Sequence, residues 1–318
     1  MLSLQDVEDA AAIVHAAMPA TPQYAWPLLA RRTGAEVWVK HENHTPTGAF
    51  KVRGGLVYMD RLKREQPGIA GVVSATRGNH GQSIALAAGR VGIAATIVVP
   101  LGNSVEKNAA MRAFGAELVE EGHDFDAARV TAMRLAGERG LSMVPSFHRD
   151  LVRGVATYAL EFFRATPALD TVYVPIGLGS GICGVIAVRD VLGLSTKVVG
   201  VVSTEAPAYA LSFAAGKVVA TNSADTMADG MAVRGPDAEA LAMICTGAER
   251  IVQVNDAEIA TAMRAYYEDT HQLTEGAGAA SLAALMQERD RQAGKRIGLI
   301  LSGGNIDRPL YLRALADR

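Results

Sequence analysis

The sequence predicts an α/β fold in which mostly parallel sheets are covered by helices. Three observations carry this. Short apolar runs rich in Val, Ile and Leu recur along the 318 residues, Ala-rich amphipathic segments separate them, and Gly-rich turns follow several of the runs. Continuous apolar runs describe strands buried on both faces, and helices are the usual connection between parallel strands.

The elements follow in order. Ser3 caps a first helix, with Asp6 placed to complete a capping box. Val7, Ala10, Ala11, Val14 and Met18 then share one helical face. After Pro19, Pro22 and Pro27 comes a short strand over 36–40. Further strands are expected at 71–75, 95–99, 141–144, 171–176, 197–202, 250–254 and 296–301, with helices at 82–90, 105–114, 126–139, 151–163 and 182–192. No fixed-period repeat, low-complexity tract or linker divides the chain, so two domains would be interleaved.

Composition excludes several classes. Hydrophobic residues make up 49% and charged residues 20%, ordinary for a globular protein and unlike a disordered one. The 31 basic and 33 acidic residues leave a charge of −2, without the basic excess of a phosphate-backbone binder, so no nucleic-acid partner is expected. Two cysteines cannot build a disulfide framework, and a cytoplasmic location is expected. The N-terminus is acidic where a signal peptide is basic. The uncharged stretch 171–188 is broken by Pro175, Gly177, Gly179, Gly181 and Gly184, so it reads as strand, turn and helix, and no membrane span is expected.

Four runs stand at strand ends, where open α/β sheets hold their ligands: 46–55, 74–82, 175–181 and 301–305. In the third, Gly177, Leu178, Gly179, Ser180 and Gly181 follow an apolar strand and open a helix. Such a turn lets backbone N–H groups crowd a phosphate at a helix N-terminus. It also permits close helix–strand packing and nothing more. The dinucleotide fingerprint needs a glycine at 182, where Ile182 stands, and offers only Glu205 as the acid about 20 residues on. A nicotinamide-dependent oxidoreductase is therefore the runner-up.

Lysine is scarce, with seven residues against 24 arginines. Most lysines are solvated surface charges. Lys51, however, follows Gly48 and Phe50 and precedes Arg53, Gly54 and Gly55. An apolar neighbour and a nearby cation lower a lysine pKa, and a neutral amine is what an aldehyde cofactor requires. Asn79 and His80 fit either a plain turn or an anion site in which the amides of 78–81 face a carboxylate. Ser302 either closes a turn or aims its hydroxyl at a ring nitrogen. His41 and His44 flank Glu42 without further ligands, and no metal site is expected. Neither a Gly-x-Ser-x-Gly elbow nor a Walker-type loop occurs.

Together and in this order, from Glu42 to Asn305, the four runs resemble the fold-type II pyridoxal-phosphate enzymes, the group of threonine and serine dehydratases, serine racemase and threonine synthase. The resemblance implies two interleaved domains like tryptophan synthase β: 1–70 with 148–318 as a large cofactor-binding domain, and 71–147 as a small mobile one, the cofactor lying between them. It implies Lys51 as the lysine that carries pyridoxal 5'-phosphate and takes the Cα proton, with Phe50 beside the ring. Asn79 would lie near the phenolic oxygen, 177–181 would hold the phosphate, and Ser302 would meet the pyridine nitrogen. Thr76, Arg77, Gly78, Asn79 and His80 would bind the substrate. The segments 226–230 and 275–278 also resemble family segments near the ring.

Three departures refine the expectation. Arg77 replaces a small residue that in serine racemase is the second-face acid/base, so racemisation is disfavoured. Its guanidinium either reaches the substrate, favouring a second anionic group as in 3-hydroxyaspartate, or forms a cross-cleft salt bridge or an exposed charge. Val202 and Ala208 fall where some members carry metal-binding acids. The chain ends at Arg318, without room for the regulatory domain of some threonine dehydratases. The expectation is a metal-independent 3-hydroxy-amino-acid dehydratase acting on a small amino-acid substrate, as a homodimer, with a further resemblance to the dehydratases of hydroxyectoine breakdown. The alternatives are a racemase or β-replacement enzyme on the same scaffold, and a non-catalytic small-molecule binding protein.

Overall fold

Helices and strands alternate through most of the computed structural model, which describes residues 2–316. Helix α1 (Leu4–His15) opens on the expected Ser3–Asp6 capping box. It is followed by β1 (Gln23–Ala25), α2 (Pro27–Thr33), β2 (Glu36–His41) and α3 (Lys51–Glu65). The next stretch holds β3 (Val72–Ala75), α4 (Asn79–Arg90), β4 (Ala95–Val99), α5 (Val105–Ala113), β5 (Glu117–Glu120), α6 (Phe125–Arg139) and β6 (Ser142–Met143). Then come α7 (Arg149–Ala165), β7 (Thr171–Pro175), α8 (Ser180–Val191), β8 (Lys197–Ser203), α9 (Ala208–Ala215), α10 (Ala238–Gly247) and β9 (Arg250–Val254). The described chain closes with α11 (Asp256–Thr270), α12 (Gly276–Gln287), α13 (Arg289–Gln292), β10 (Arg296–Leu301) and α14 (Arg308–Leu315).

The strands form a six-stranded sheet, β1-β2-β10-β7-β8-β9, and a four-stranded sheet, β5-β4-β3-β6. Every pair is parallel except β1 with β2, where Tyr24 faces Val39. Helices α2, α11 and α12 cover one face of the larger sheet, and α7, α8 and α10 the other. The smaller sheet lies between α6 and a layer formed by α1, α3 and α4. No described helix is long and apolar enough to cross a membrane.

Some elements differ from the sequence expectation. The strand at 141–144 shrinks to Ser142–Met143, an edge that ends before Pro145. Helix α3 was not among the helices expected from sequence, and it carries Gly54 and Gly55. Both are needed for contact. A Cβ at Gly54 would lie 2.7 Å from the Leu151 carbonyl oxygen, so α3 and α7 pack backbone against backbone. Helix α12 gave no period because it is buried on nearly every side.

Candidate active site

The C-terminal ends of β2, β3, β7 and β10 carry the four singled-out runs. Three of the runs are directly bonded. Phe50 N–H donates to the Ser302 carbonyl (3.0 Å), and Gly304 N–H to that of Gly48 (2.9 Å). Asn305 Nδ2 donates to the Thr47 carbonyl (2.7 Å) and to Asn79 Oδ1 (2.9 Å). The fourth run joins through Tyr158, which meets the Phe50 ring edge-on and donates to the Gly181 carbonyl (2.9 Å). Between them opens a cleft of about 1180 Å³ whose lining includes Lys51, Thr76–His80, Lys107, Leu178 and Asp229.

Lys51 is the first residue of α3 and is half-buried, with Nζ 4.9 Å from the centre of the Phe50 ring. No described group lies within hydrogen-bond reach of that amine. Burial lowers its pKa, against the opposing charge of Glu275. The nearby cation invoked from sequence is not the cause. Arg53 turns away into a fully buried cluster, where it bonds Glu42 (2.7 and 3.0 Å), Glu161 (2.6 and 2.9 Å), Thr157 and Thr21. Lys40, also fully buried, reaches Glu161 at 2.6 Å. Ser83 Oγ holds the Lys51 carbonyl at 2.6 Å.

The turn from Thr76 to His80 faces Lys51 across the cleft. Thr76 Oγ1 accepts from Gly78 N–H at 3.0 Å, so that amide already has a partner within the turn. Asn79 Nδ2 donates to both oxygens of Glu275 (2.8 and 3.1 Å). His80 is buried, Nε2 has no partner among the described residues, and burial beside Lys51 lowers its pKa to about 3, leaving it neutral. Arg77 is exposed on the cleft wall and forms no ion pair among the described residues. The cross-cleft bridge considered for it does not form.

Gly179 takes the left-handed conformation (φ +99°) and caps α8 without a side chain, leaving the first helical amides open. A Cβ there would meet Ala240 Cβ at 2.8 Å and Tyr209 Oη at 3.2 Å. Ser302 is buried just past β10, beside the Phe50 backbone. Val202 and Ala208 are buried apolar residues, and no group of three or more metal-ligating side chains occurs among the described residues.

Sequence reading missed Lys107 and did not give roles to Asp229 and Glu275. The stem of Lys107 crosses Gly78, where a Cβ would lie 2.4 Å from its Cδ, and its Nζ reaches Asp229 Oδ2 at 2.5 Å. Burial would lower the Lys107 pKa, but Asp229 holds it above the ordinary value. Glu275 is buried, which raises its pKa against the pull of Lys107. The segments 226–230 and 275–278 pointed at the two acids; only the scarcity of lysine pointed at Lys107.

Known proteins match the chain over most of its length. A family model described as pyridoxal-phosphate dependent enzyme matches residues 16–303. The chain is 34% identical over 308 residues to an L-threonine ammonia-lyase of Thermotoga maritima, covering 96% of this chain and 76% of that one. It is 32% identical over 314 residues to an L-threo-3-hydroxyaspartate ammonia-lyase of a Pseudomonas species, covering 98% of each. The solved structure of maize serine racemase superposes with a TM-score of 0.92 at 27% identity, covering 98% of this chain and 96% of that one.

Proposed function

The chain belongs to the pyridoxal-phosphate dependent enzymes, and on that premise we propose that it converts a 3-hydroxy amino acid to a 2-oxo acid and ammonia. Water leaves in the elimination and re-enters in the hydrolysis that frees ammonia. The residues fit the cofactor. Lys51 offers an amine free of partners, Gly177–Gly181 a glycine cradle with open amides, and His80 a buried nitrogen without one. When bound, the cofactor supplies an electron sink for Cα.

The observation that carries the reading is Lys51, an amine of lowered pKa facing the Thr76–His80 turn across the cleft. In this reading Lys51 holds the cofactor and removes the Cα proton. The cradle takes the phosphate, Ser302 meets the ring nitrogen, Phe50 packs beside the ring and Asn79 faces the phenolic oxygen. Thr76–His80 bind the substrate carboxylate. Arg77 and Arg129 both stand exposed on the cleft wall without ion pairs among the described residues, which supports a substrate with a second carboxylate. A 3-hydroxyaspartate is the simplest such molecule. Arginine stays protonated, so Arg77 is a poor second-face base, which argues against racemisation.

The remaining features of this reading are a small domain at 71–147 that moves against the rest, a cytoplasmic location, no nucleic-acid partner and a homodimer. The exposed Tyr24 and Leu28, on and just after the edge strand β1, support the last. The test is to assay 2-oxo acid release from serine, threonine and the isomers of 3-hydroxyaspartate. Turnover fastest on a 3-hydroxyaspartate is expected; no release from any of them would overturn the activity.

A further inference from the structure

We propose that the Tyr209 hydroxyl is a strut that couples occupancy of the glycine cradle to closure of the cleft. Tyr209, on α9, is 1% exposed. Its hydroxyl donates to the Leu178 carbonyl of the cradle (2.9 Å) and accepts from the Asp237 N–H (3.1 Å). One hydroxyl thus joins two backbone segments that both line the cleft.

Each end of the strut leads somewhere. On one side the cradle must keep its left-handed turn at Gly179, whose missing Cβ is what lets Tyr209 Oη and Ala240 approach from behind. Tyr209 bonds a carbonyl of the cradle and none of its amides, so it holds the loop without competing for an anion. On the other side Asp237 ends a long strap. Thr221 N–H donates to the Arg234 carbonyl (2.8 Å), closing residues 221–234 into a loop. Asn222, Ala224, Asp225 and Asp229 of that loop line the cleft. Three residues before Asp237, Arg234 crosses to α6 and pairs with Asp126 and, at 3.7 Å, with Asp124, the N-cap of that helix. Asp237 itself is fixed to α10 by bonds from the Glu239 and Ala240 N–H groups. The closed base of the strap is therefore held within three residues by Tyr209 on the cradle side and by Arg234 on α6.

Tyr209 touches neither the reacting atoms nor the cofactor in this scheme; it is a positioning residue. An anion that orders the cradle fixes the Leu178 carbonyl, and through it the strap that covers the substrate. The inference rests on the reading of 177–181 as the phosphate site. Tyr209→Phe keeps the ring in place and removes only the two hydrogen bonds. Hydrogen exchange of the strap would be followed in the apoprotein and with saturating pyridoxal phosphate, in wild type, Tyr209→Phe and Gly179→Val. In wild type the cofactor should slow exchange in peptides spanning 221–236. In Tyr209→Phe that slowing should fall about tenfold and cofactor affinity by a similar factor, the fold-change equivalent to about 1.4 kcal/mol. A merely structural tyrosine would lower the melting temperature of apo and loaded protein alike and leave the cofactor-induced slowing intact. Equal slowing in wild type and Tyr209→Phe, with Gly179→Val impaired in cofactor binding, would overturn the strut alone. Unchanged cofactor affinity in folded Gly179→Val would overturn the phosphate-site reading and the strut with it.

Discussion

Replacing Arg53 by methionine should cost more stability than any change at the cleft wall. Arg53, Glu42 and Lys40 are fully buried, and the Glu161 side chain is 9% exposed. These two cations and two carboxylates balance. Burial alone would lower the Arg53 pKa, but the carboxylates of Glu42 and Glu161 hold it above its ordinary value, and Arg53 and Lys40 draw the buried Glu161 carboxyl down to about 2. Arg53→Met leaves two carboxylates facing one ammonium. Breaking a buried pair by removing one partner costs about 3–5 kcal/mol, because a charge remains out of water without compensation. Arg53→Met with Glu42→Gln removes one charge of each sign, so the double variant should regain at least about 1 kcal/mol relative to the single one. Urea unfolding of the apoprotein, followed by the fluorescence of Trp26 and Trp38, measures both. A loss below about 1 kcal/mol for Arg53→Met, or a double variant less stable than the single, would refute this account of the cluster. The site is affected too, since Arg53 sits in the same first helical turn as Lys51.

Other expectations follow from the same geometry. Borohydride reduction of the loaded protein and peptide mapping should place a pyridoxyl group on Lys51; finding it on Lys107, the other cleft lysine, would exchange their roles. Dialysis against a chelator should leave activity and melting temperature unchanged, because Val202 and Ala208 offer no ligand; recovery by magnesium or calcium after a loss would reveal a site elsewhere. His80 has a folded pKa near 3 against about 6.5 unfolded, so the unfolded chain binds more protons between those values. Its contribution is present above pH 6.5 and declines as pH falls toward 3, by about 1.4 kcal/mol per pH unit. Urea midpoints between pH 6 and 4 should fall less steeply in His80→Asn, and an equal slope would show that His80 is not held neutral. Arg77→Ser should lower the preference for 3-hydroxyaspartate over serine about ten- to a hundredfold, the range of a charge-assisted bond worth about 1.5–3 kcal/mol; an unchanged substrate order would remove Arg77 from recognition.

The parallel sheets were legible because their evidence is local. Runs such as Val198–Val202 are apolar at consecutive positions, short and rich in Val, the pattern of a strand covered on both faces. The glycine loop was legible for the same reason, since its glycines, strand and helix are contiguous. Helix α12 escaped because burial on nearly all sides erases the period that marks a helix. Helix α3 escaped because the glycines near its start have no meaning until α7 is seen beside them. Lys51 was legible through its flanking residues, but the cause of its lowered pKa was not. Arg53 is two positions away in sequence, yet its charge is consumed by Glu42 and Glu161, so proximity along the chain misled.

The contacts that complete the site lie beyond any local signal. Lys107 meets Asp229 across 122 residues, and Asn79 meets Glu275 across 196. The pairs join α5 and the start of α4, both packed with the smaller sheet, to segments packed on the larger one. Topology sets such distances, through strand order and crossover connections, and no spacing rule reaches them. Arg77 shows the reverse case. Thr76, Gly78 and Asn79 in the turn are buried and bonded, while Lys107, Arg53 and Arg234 each have a carboxylate partner. Arg77 alone in that turn carries a full charge to the cleft without one. An exposed charge with no partner contributes little to folding, so its removal should leave the fold intact. A change in substrate order on its removal then reports on recognition rather than stability. That separation is not available at Lys107 or Glu275, where the same side chains hold the two walls together.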